Sequence, residues 1–251
     1  MIKDFIPTNV SLWIVNFKRR EVCDNTIKMW LDSYPFETVN VISNFTETTL
    51  DDFSANLKSK IKLYHNCRNN SYVGSLAECW NQCYINTFEH KNYCICSQDD
   101  VVIKPGWDKI ITDNLNRFDT FFAPQGDVTH LQTVDGFKKV GWWDINFRTT
   151  SYQEMDYYTR CLLYNKKRIS ISDVHNGNVF CNNEIGLNQF WIHIPNSNDP
   201  VKLAQHGINN SSQYDVYFNK YGVRIPYDKI PTPRYKAIDY CPEFSARIGL
   251  I

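Results

Sequence analysis

The segment CICSQDDVVIKPGW, Cys94 to Trp107, begins with small apolar residues suited to a buried strand and then sets two acids side by side, Asp99 and Asp100. Adjacent carboxylates repel each other and aspartate is a poor strand residue, so the pair marks the place where a strand leaves the core. Carboxylates at such a point can hold a hard cation, Mg2+ or Mn2+, which takes oxygen ligands and shares them with substrate phosphates. A loop aspartate capping the helix that opens near Gly106 is the competing reading, and the local pattern leaves both open. Two further acids, Glu154 and Asp156, fall in the first turn of a predicted helix, YQEMDYYTRCLLY, where the helix dipole favours negative charge. His175 closes a predicted strand, RISISDVH, just before the turn NGN.

The elements that would position these residues alternate in type. VSLWIVN (Val10–Asn16), TVNVISN (Thr38–Asn44), KIKLYHN (Lys60–Asn66) and NYCICS read as strands. Between them, EVCDNTIKMWLDSY and VGSLAECWNQCYINTF read as helices. The second of these has Ser75 and Glu78 spaced as a capping box, and Leu76, Trp80, Cys83, Tyr84 and Phe88 on one side at helical spacing. Pro105-Gly106 opens a further helix, residues 107–116. Strands alternating with helices predict an α/β fold with a mostly parallel sheet covered on both faces, and ligands of such sheets bind at the carboxyl ends of the strands. Asp99 and Asp100 sit at such an end. The second half is expected to hold a short strand FFAP, a β-leaning aromatic stretch THLQTVDGFKKVGWWDINF, the acidic helix, the His175 strand and a helix SQYDVYFNKYG. A proline-punctuated tail from Ile225 is expected to wrap the surface.

Composition narrows the class. The 251 residues are 43% hydrophobic and 22% charged, as in a folded chain rather than a disordered one. Lys+Arg and Asp+Glu are both 27, so the basic excess that marks many nucleic-acid-binding chains is missing and no nucleic-acid partner is expected. Nine cysteines lack a disulfide-framework spacing and read as buried free thiols of a reducing compartment. Lys3, Asp4 and Pro7 interrupt the first residues, so no signal peptide is expected. No run approaches the ~20 apolar residues of a membrane span. A cytoplasmic chain, with residues 1–251 forming one elaborated domain, is the expectation.

The order of these segments, from about Val10 to Gly222, resembles the GT-A glycosyltransferases, especially those similar to family 2. NNSYVGSLAECWNQCY is similar to the family's Asn, Gly, Ala, Asn pattern (Asn69 or Asn70, Gly74, Ala77, Asn81). SQDDVVIKPGWDKII resembles its metal-binding Asp-x-Asp segment, FKKVGWWDINF its acceptor-side Gly-x-x-Asp, and YQEMDYYTRCL the acidic helix that carries the base. DVHNGN resembles the late strand ending in a metal- or phosphate-binding histidine, and YFNKYG the close of the fold. Two positions depart: Gln98 stands where the first acid of Asp-x-Asp belongs, and Gln153-Glu154 stands for Glu-Asp.

The resemblance implies a GT-A, Rossmann-like architecture. A nucleotide-sugar-binding half would span about residues 8–117 and an acceptor half, smaller and β-containing, about residues 118–224, with a helical or extended tail over 225–251. It implies transfer of a sugar from a nucleoside diphosphate, UDP favoured with GDP or dTDP open, to a hydroxyl of a glycan or glycoprotein. Asp100 and His175 would hold Mn2+ or Mg2+. Glu154 or Asp156 would be the base of an inverting displacement. Asn16, Lys18, Arg19, Arg68, Asn70, Gln98 and Asp99 would bind the donor, and Trp142, Trp143 and Asp144 the acceptor. A catalytically degenerate sugar- or protein-binding module is the alternative. A nucleotidyltransferase ranks third, because WIVNFKRREV lacks the Gly-rich triphosphate loop.

Overall fold

The computed structural model describes residues 4–17, 19–66, 76–123, 126–147, 152–164, 171–175, 178–181, 185–193, 210–224 and 231–250. It is an α/β fold built on a six-stranded mixed sheet flanked by helices. The strands are β1 (Val10–Asn16), β2 (Val39–Ser43), β3 (Ile61–His65), β4 (Tyr93–Gln98), β6 (Thr120–Ala123) and β7 (Gly126–Thr133), in spatial order β3-β2-β1-β4-β7-β6. The helices are α1 (Arg20–Ser33), the single turn α2 (Ala55–Lys58), α3 (Leu76–Phe88), α4 (Trp107–Asn114), α5 (Val134–Val140), α6 (Tyr152–Tyr164), α7 (Asn210–Tyr221) and α8 (Pro242–Ile248). Two small antiparallel sheets pair β5 (Val101–Ile103) with β10 (Trp191–His193), and β8 (Ile171–His175) with β9 (Asn178–Cys181).

The sheet owes its centre to β1, whose seven residues are all buried. A strand covered on both faces carries a continuous apolar run, and its side chains still alternate between the faces. Val10, Leu12 and Ile14 enter one core with Cys23, Ile27 and Trp30 of α1 and Trp107 and Ile111 of α4. Trp13 and Val15 enter the other, with Trp80, Cys83 and Tyr84 of α3 and with α6. β4 sorts in the same way: Tyr93 and Ile95 face α1 and α4, while Cys94 and Cys96 face α3. Cys23, Cys79, Cys83, Cys94, Cys96 and Cys161 are buried free thiols, as their apolar neighbours suggest.

The sheet is less parallel than the alternation of elements predicts. β1 to β4 run parallel, but β7 lies antiparallel between β4 and β6. The chain reaches β7 through the short link after β6, a hairpin connection, and a hairpin can only reverse direction. The stretch read as β-leaning also divides. THLQT finishes β7, and Thr133 then accepts a hydrogen bond from the Gly136 amide at 2.9 Å and starts α5. Proline and glycine account for other boundaries. Gly106, at φ 100°, precedes α4 in a conformation that L side chains rarely adopt, and Gly222, at φ 73°, closes α7 with its amide on the Phe218 carbonyl at 2.7 Å. The tail does not simply wrap the surface. Pro242 begins α8, and Tyr240 and Phe244 are buried against Trp142.

A cluster of three tryptophans carries the edge of the fold that matters most below. Trp30 of α1, Trp107 of α4 and Trp191 of β10 have ring centroids 5.3, 5.6 and 5.8 Å apart, and all three are buried. They pack β10, and with it His193, against α1 and α4. Trp107→Ala should cost about 3–5 kcal/mol, the range for truncating a buried large aromatic, read as a lower urea midpoint. A loss below about 1 kcal/mol would mean that the cluster collapses onto the gap without consequence.

Candidate active site

β1 and β4 lie side by side and parallel, with Val15 opposite Gln98, so Asn16–Phe17 and Gln98–Asp99 leave the sheet together. Strands β2 and β3 lie on one side of this pair and β7 and β6 on the other. The β1/β4 boundary is therefore the point where the connections change direction, the usual place for a ligand crevice. Asp99 joins the two exits. Its Oδ2 accepts from the Phe17 amide at 3.1 Å, and its Oδ1 accepts from Nη2 of Arg19, the residue that precedes α1. Nη1 of the same guanidinium lies 3.4 Å from Asp100 Oδ2, and its carbon stands 5.5 Å from the centre of the Phe17 ring. Thr26 of α1 donates its hydroxyl to the Asp99 carbonyl at 2.8 Å, fixing the backbone beneath the acids. Burial pushes the Asp99 carboxyl up to about 7; the Arg19 charge and the Phe17 amide oppose that push, and Asp100 adds to it.

One member of the site was not legible in the sequence. Nε2 of His193 lies 3.4 Å from Asp100 Oδ2, brought there by the pairing of β10 with β5, which sets His193 opposite Val101. A three-residue strand carries too little periodicity to be read, and only its aromatic and β-branched character in FWIHI hints at it. His175 ends β8, and its side chain, like Lys18, Arg68 and Asn70, lies outside the described residues, as does the Ser75 cap. Asn16 and Gln98 are buried at the ends of their strands.

The acceptor-side expectations divide. α6 brings its first turn to the start of α3, where Gln153 Oε1 accepts from the Ala77 amide at 3.3 Å. Glu154 in that turn is half-buried. Asp156, expected as an alternative base, is instead the hub of a buried charge cluster. Its Oδ2 accepts from Arg160 Nε at 3.0 Å and Nη2 at 2.6 Å, and its Oδ1 lies 2.7 Å from Lys220 Nζ and accepts from the Tyr221 hydroxyl at 2.8 Å. Lys220 also pairs with Asp144 Oδ2 at 2.6 Å, and the Asn146 amide donates to Asp144 Oδ1 at 3.1 Å. A carboxylate held by two cations and a phenol is a poor proton acceptor, so Asp156 is a structural ion and not the base. Asp144 is likewise engaged inside the fold rather than presented to an acceptor. Burial alone would raise the Asp156 carboxyl, but the Arg160 and Lys220 charges outweigh it and hold the group below its ordinary value.

Trp142 and Trp143 are corrected in the same way. Trp143 stacks on Tyr157 at 4.0 Å with planes 3° apart and donates its indole N–H to the Tyr84 hydroxyl at 3.0 Å. Trp142 donates to Asp239 at 2.9 Å and Ser245 at 3.0 Å. Both rings are core, because α3, α6 and the tail cover their faces, and neither is available to a sugar.

The donor set can be tested against the expected divalent cation. Gln98 supplies no charge, Asp99 is spent on Arg19 and Phe17, and Asp100 with His193 gives two ligands. No group of three acid, histidine or cysteine side chains is suitably placed among the described residues. A guanidinium already stands on both acids, where it would repel a second cation. The described residues thus offer fewer ligands than the several oxygens that Mg2+ or Mn2+ take, and His175, expected as the partner ligand of Asp100, lies outside them. No protein-family model and no curated protein matches this chain.

Removing Lys220 would leave Asp144 and Asp156 with a single buried cation. Lys220→Met should therefore destabilise the fold by about 3–5 kcal/mol, as breaking a buried pair does. The sign with pH follows from the lowered Asp156 value. A depressed carboxyl stabilises the fold above its unfolded value of about 4 and loses that contribution as acid titrates it in the folded state. Acid unfolding of Lys220→Met should begin at higher pH than in the wild type, followed by circular dichroism; coincident acid transitions would contradict the hub assignment.

Proposed function

We propose that the protein is a GT-A-type glycosyltransferase that moves a sugar from a nucleoside diphosphate, most simply UDP with GDP and dTDP as options, to a glycan hydroxyl. The observation that carries this reading is the set Asp99, Asp100, Arg19 and His193 gathered at the carboxyl ends of β1 and β4, where the sheet's connections diverge. Such a crevice suits a nucleotide, and a guanidinium suits its diphosphate. Of the two acids that the resemblance offers as the base, Asp156 is taken by Arg160 and Lys220 whereas Glu154 is half-buried, and this favours Glu154.

In the reaction, the acceptor oxygen forms a bond to the anomeric carbon as the bond from that carbon to the β-phosphate oxygen breaks. The hydroxyl proton passes to the Glu154 carboxylate, and the nucleoside diphosphate leaves with the bonding pair. One base on the acceptor side implies inversion. The divalent cation expected from the sequence is not part of this proposal, given the donor set.

A sugar- or protein-binding module without turnover is the second reading. It draws on Gln98 in place of an acid and on Asp99 being wholly inside the fold.

Calorimetric titration with UDP, GDP and dTDP, followed by assay of nucleotide release from the matching sugar donors, tests the proposal. One nucleotide should bind, and Glu154→Gln should keep that binding while lowering turnover by about 10²–10⁴-fold, the usual worth of a positioned base. Full turnover in Glu154→Gln would remove it as the base. Binding without turnover of any sugar donor would favour the binding module.

A further inference from the structure

Around the crevice the positive charge comes from within the chain. Arg19 reaches Asp99 with one terminal nitrogen and Asp100 with the other, is itself buried, and is backed by the Phe17 ring. Three unrelated elements hold it: the exit of β1, the exit of β4 and the start of α1. Such a side chain has little freedom to swing away and admit a metal between the acids. Each terminal nitrogen of a guanidinium carries two hydrogens, so the group can be gripped by carboxylates on one side and still donate to phosphate oxygens on another. The fourteen-residue α1 begins at the next residue, and the Arg19 side chain does not cap its first turn. Its amides and dipole therefore add to the same positive end.

Resting on the donor-site reading above, we propose that Arg19, held in place by Asp99 and Asp100, supplies the charge that binds the donor's diphosphate and stabilises it as it leaves, so that donor binding needs no divalent cation. Asp99 and Asp100 are then positioning residues for a guanidinium and not metal ligands. This also accounts for Gln98, since a site that holds no metal loses nothing when an acid becomes an amide. His193, 3.4 Å from Asp100, steadies that carboxylate from β10.

The test is titration with UDP, GDP and dTDP, each in Mn2+ and each in EDTA, of wild type, Arg19→Lys and Arg19→Gln. The nucleotide that binds should do so equally in Mn2+ and in EDTA, within about twofold, and more weakly as salt rises, as screening of an ionic contact requires. Arg19→Gln should lose about 10- to 100-fold in affinity, and Arg19→Lys should fall between, because an ammonium keeps the charge but not the fork. Thermal unfolding reports whether Arg19→Gln folds. If it does not, the double variant Arg19→Gln with Asp99→Asn removes the buried acid together with its partner and should show the same loss. Wild-type affinity in that double variant would overturn the proposal. Binding in Mn2+ that disappears in EDTA would overturn it too while leaving the donor-site reading intact. Absence of binding by all three nucleotides in both conditions would overturn the donor site itself. Manganese paramagnetic resonance without nucleotide adds a second readout: free-ion signal alone is expected from the wild type, and a tightly bound ion would contradict Arg19 as the resident cation.

Discussion

The contact on which the carboxyl edge of the sheet depends is the one Asp99 makes with Phe17 and Arg19. β1 and β4 are neighbours through most of their length, but their chains diverge at the carboxyl edge, one into α1 and the other into β5. Asp99 bonds across that divergence to a backbone amide and a guanidinium at once. Thr26 repeats the tie from α1 to the Asp99 carbonyl. The cost of burying a carboxylate shows in its raised titration, and the Phe17 amide and the Arg19 guanidinium, both on the segment between β1 and α1, offset part of it. His193 reaches the same junction through Asp100, carried by β10 and the three tryptophans that pack it.

A second buried charge cluster organises the other half. Asp144 comes from the segment after α5, Asp156 and Arg160 from α6, and Lys220 and Tyr221 from α7, so three stretches distant in sequence meet in one set of two acids and two cations. Their charges cancel, which is the condition under which buried ions persist. The cluster fixes α6, and Glu154 projects from the turn that α6 brings to the start of α3. The two clusters differ in kind. The α6 hub is closed on itself, whereas the Arg19 junction lies at the mouth of the sheet.

Much of this was legible in the sequence, and the reasons differ by element. β1 and β4 were readable because a strand buried on both faces needs a continuous apolar run, and α3 because its stripe keeps helical spacing over four turns. The direction of β7 was not readable, because nothing in the β-leaning stretch marked where a strand pairing back onto β6 began. Thr133 is both the last residue of β7 and the cap of α5, so the strand pattern before it hides the helix that follows. At the site, Asp99 and Asp100 stood out by type and spacing, but the role of Arg19 as their counter-ion did not, because pairing over 80 residues leaves no local pattern. Glu154 and Asp156 are two positions apart and chemically alike; only their partners separate a buried structural ion from a half-buried acid. The paired tryptophans were read as a sugar platform because indoles can stack on sugars, whereas here their faces are used by Tyr157 and Tyr240.

A crystal structure of the protein grown with its preferred nucleoside diphosphate tests the central claim most directly. The diphosphate is expected at the carboxyl ends of β1 and β4, with its oxygens in hydrogen-bond range of the Arg19 guanidinium. The fold offers another recess, a cavity of about 650 Å3 at the start of β4, lined by Glu89, His90, Asp119, Asp135, Lys138 and Arg247 among others. A nucleotide seated there, with Arg19 and the acid pair untouched, would contradict the account.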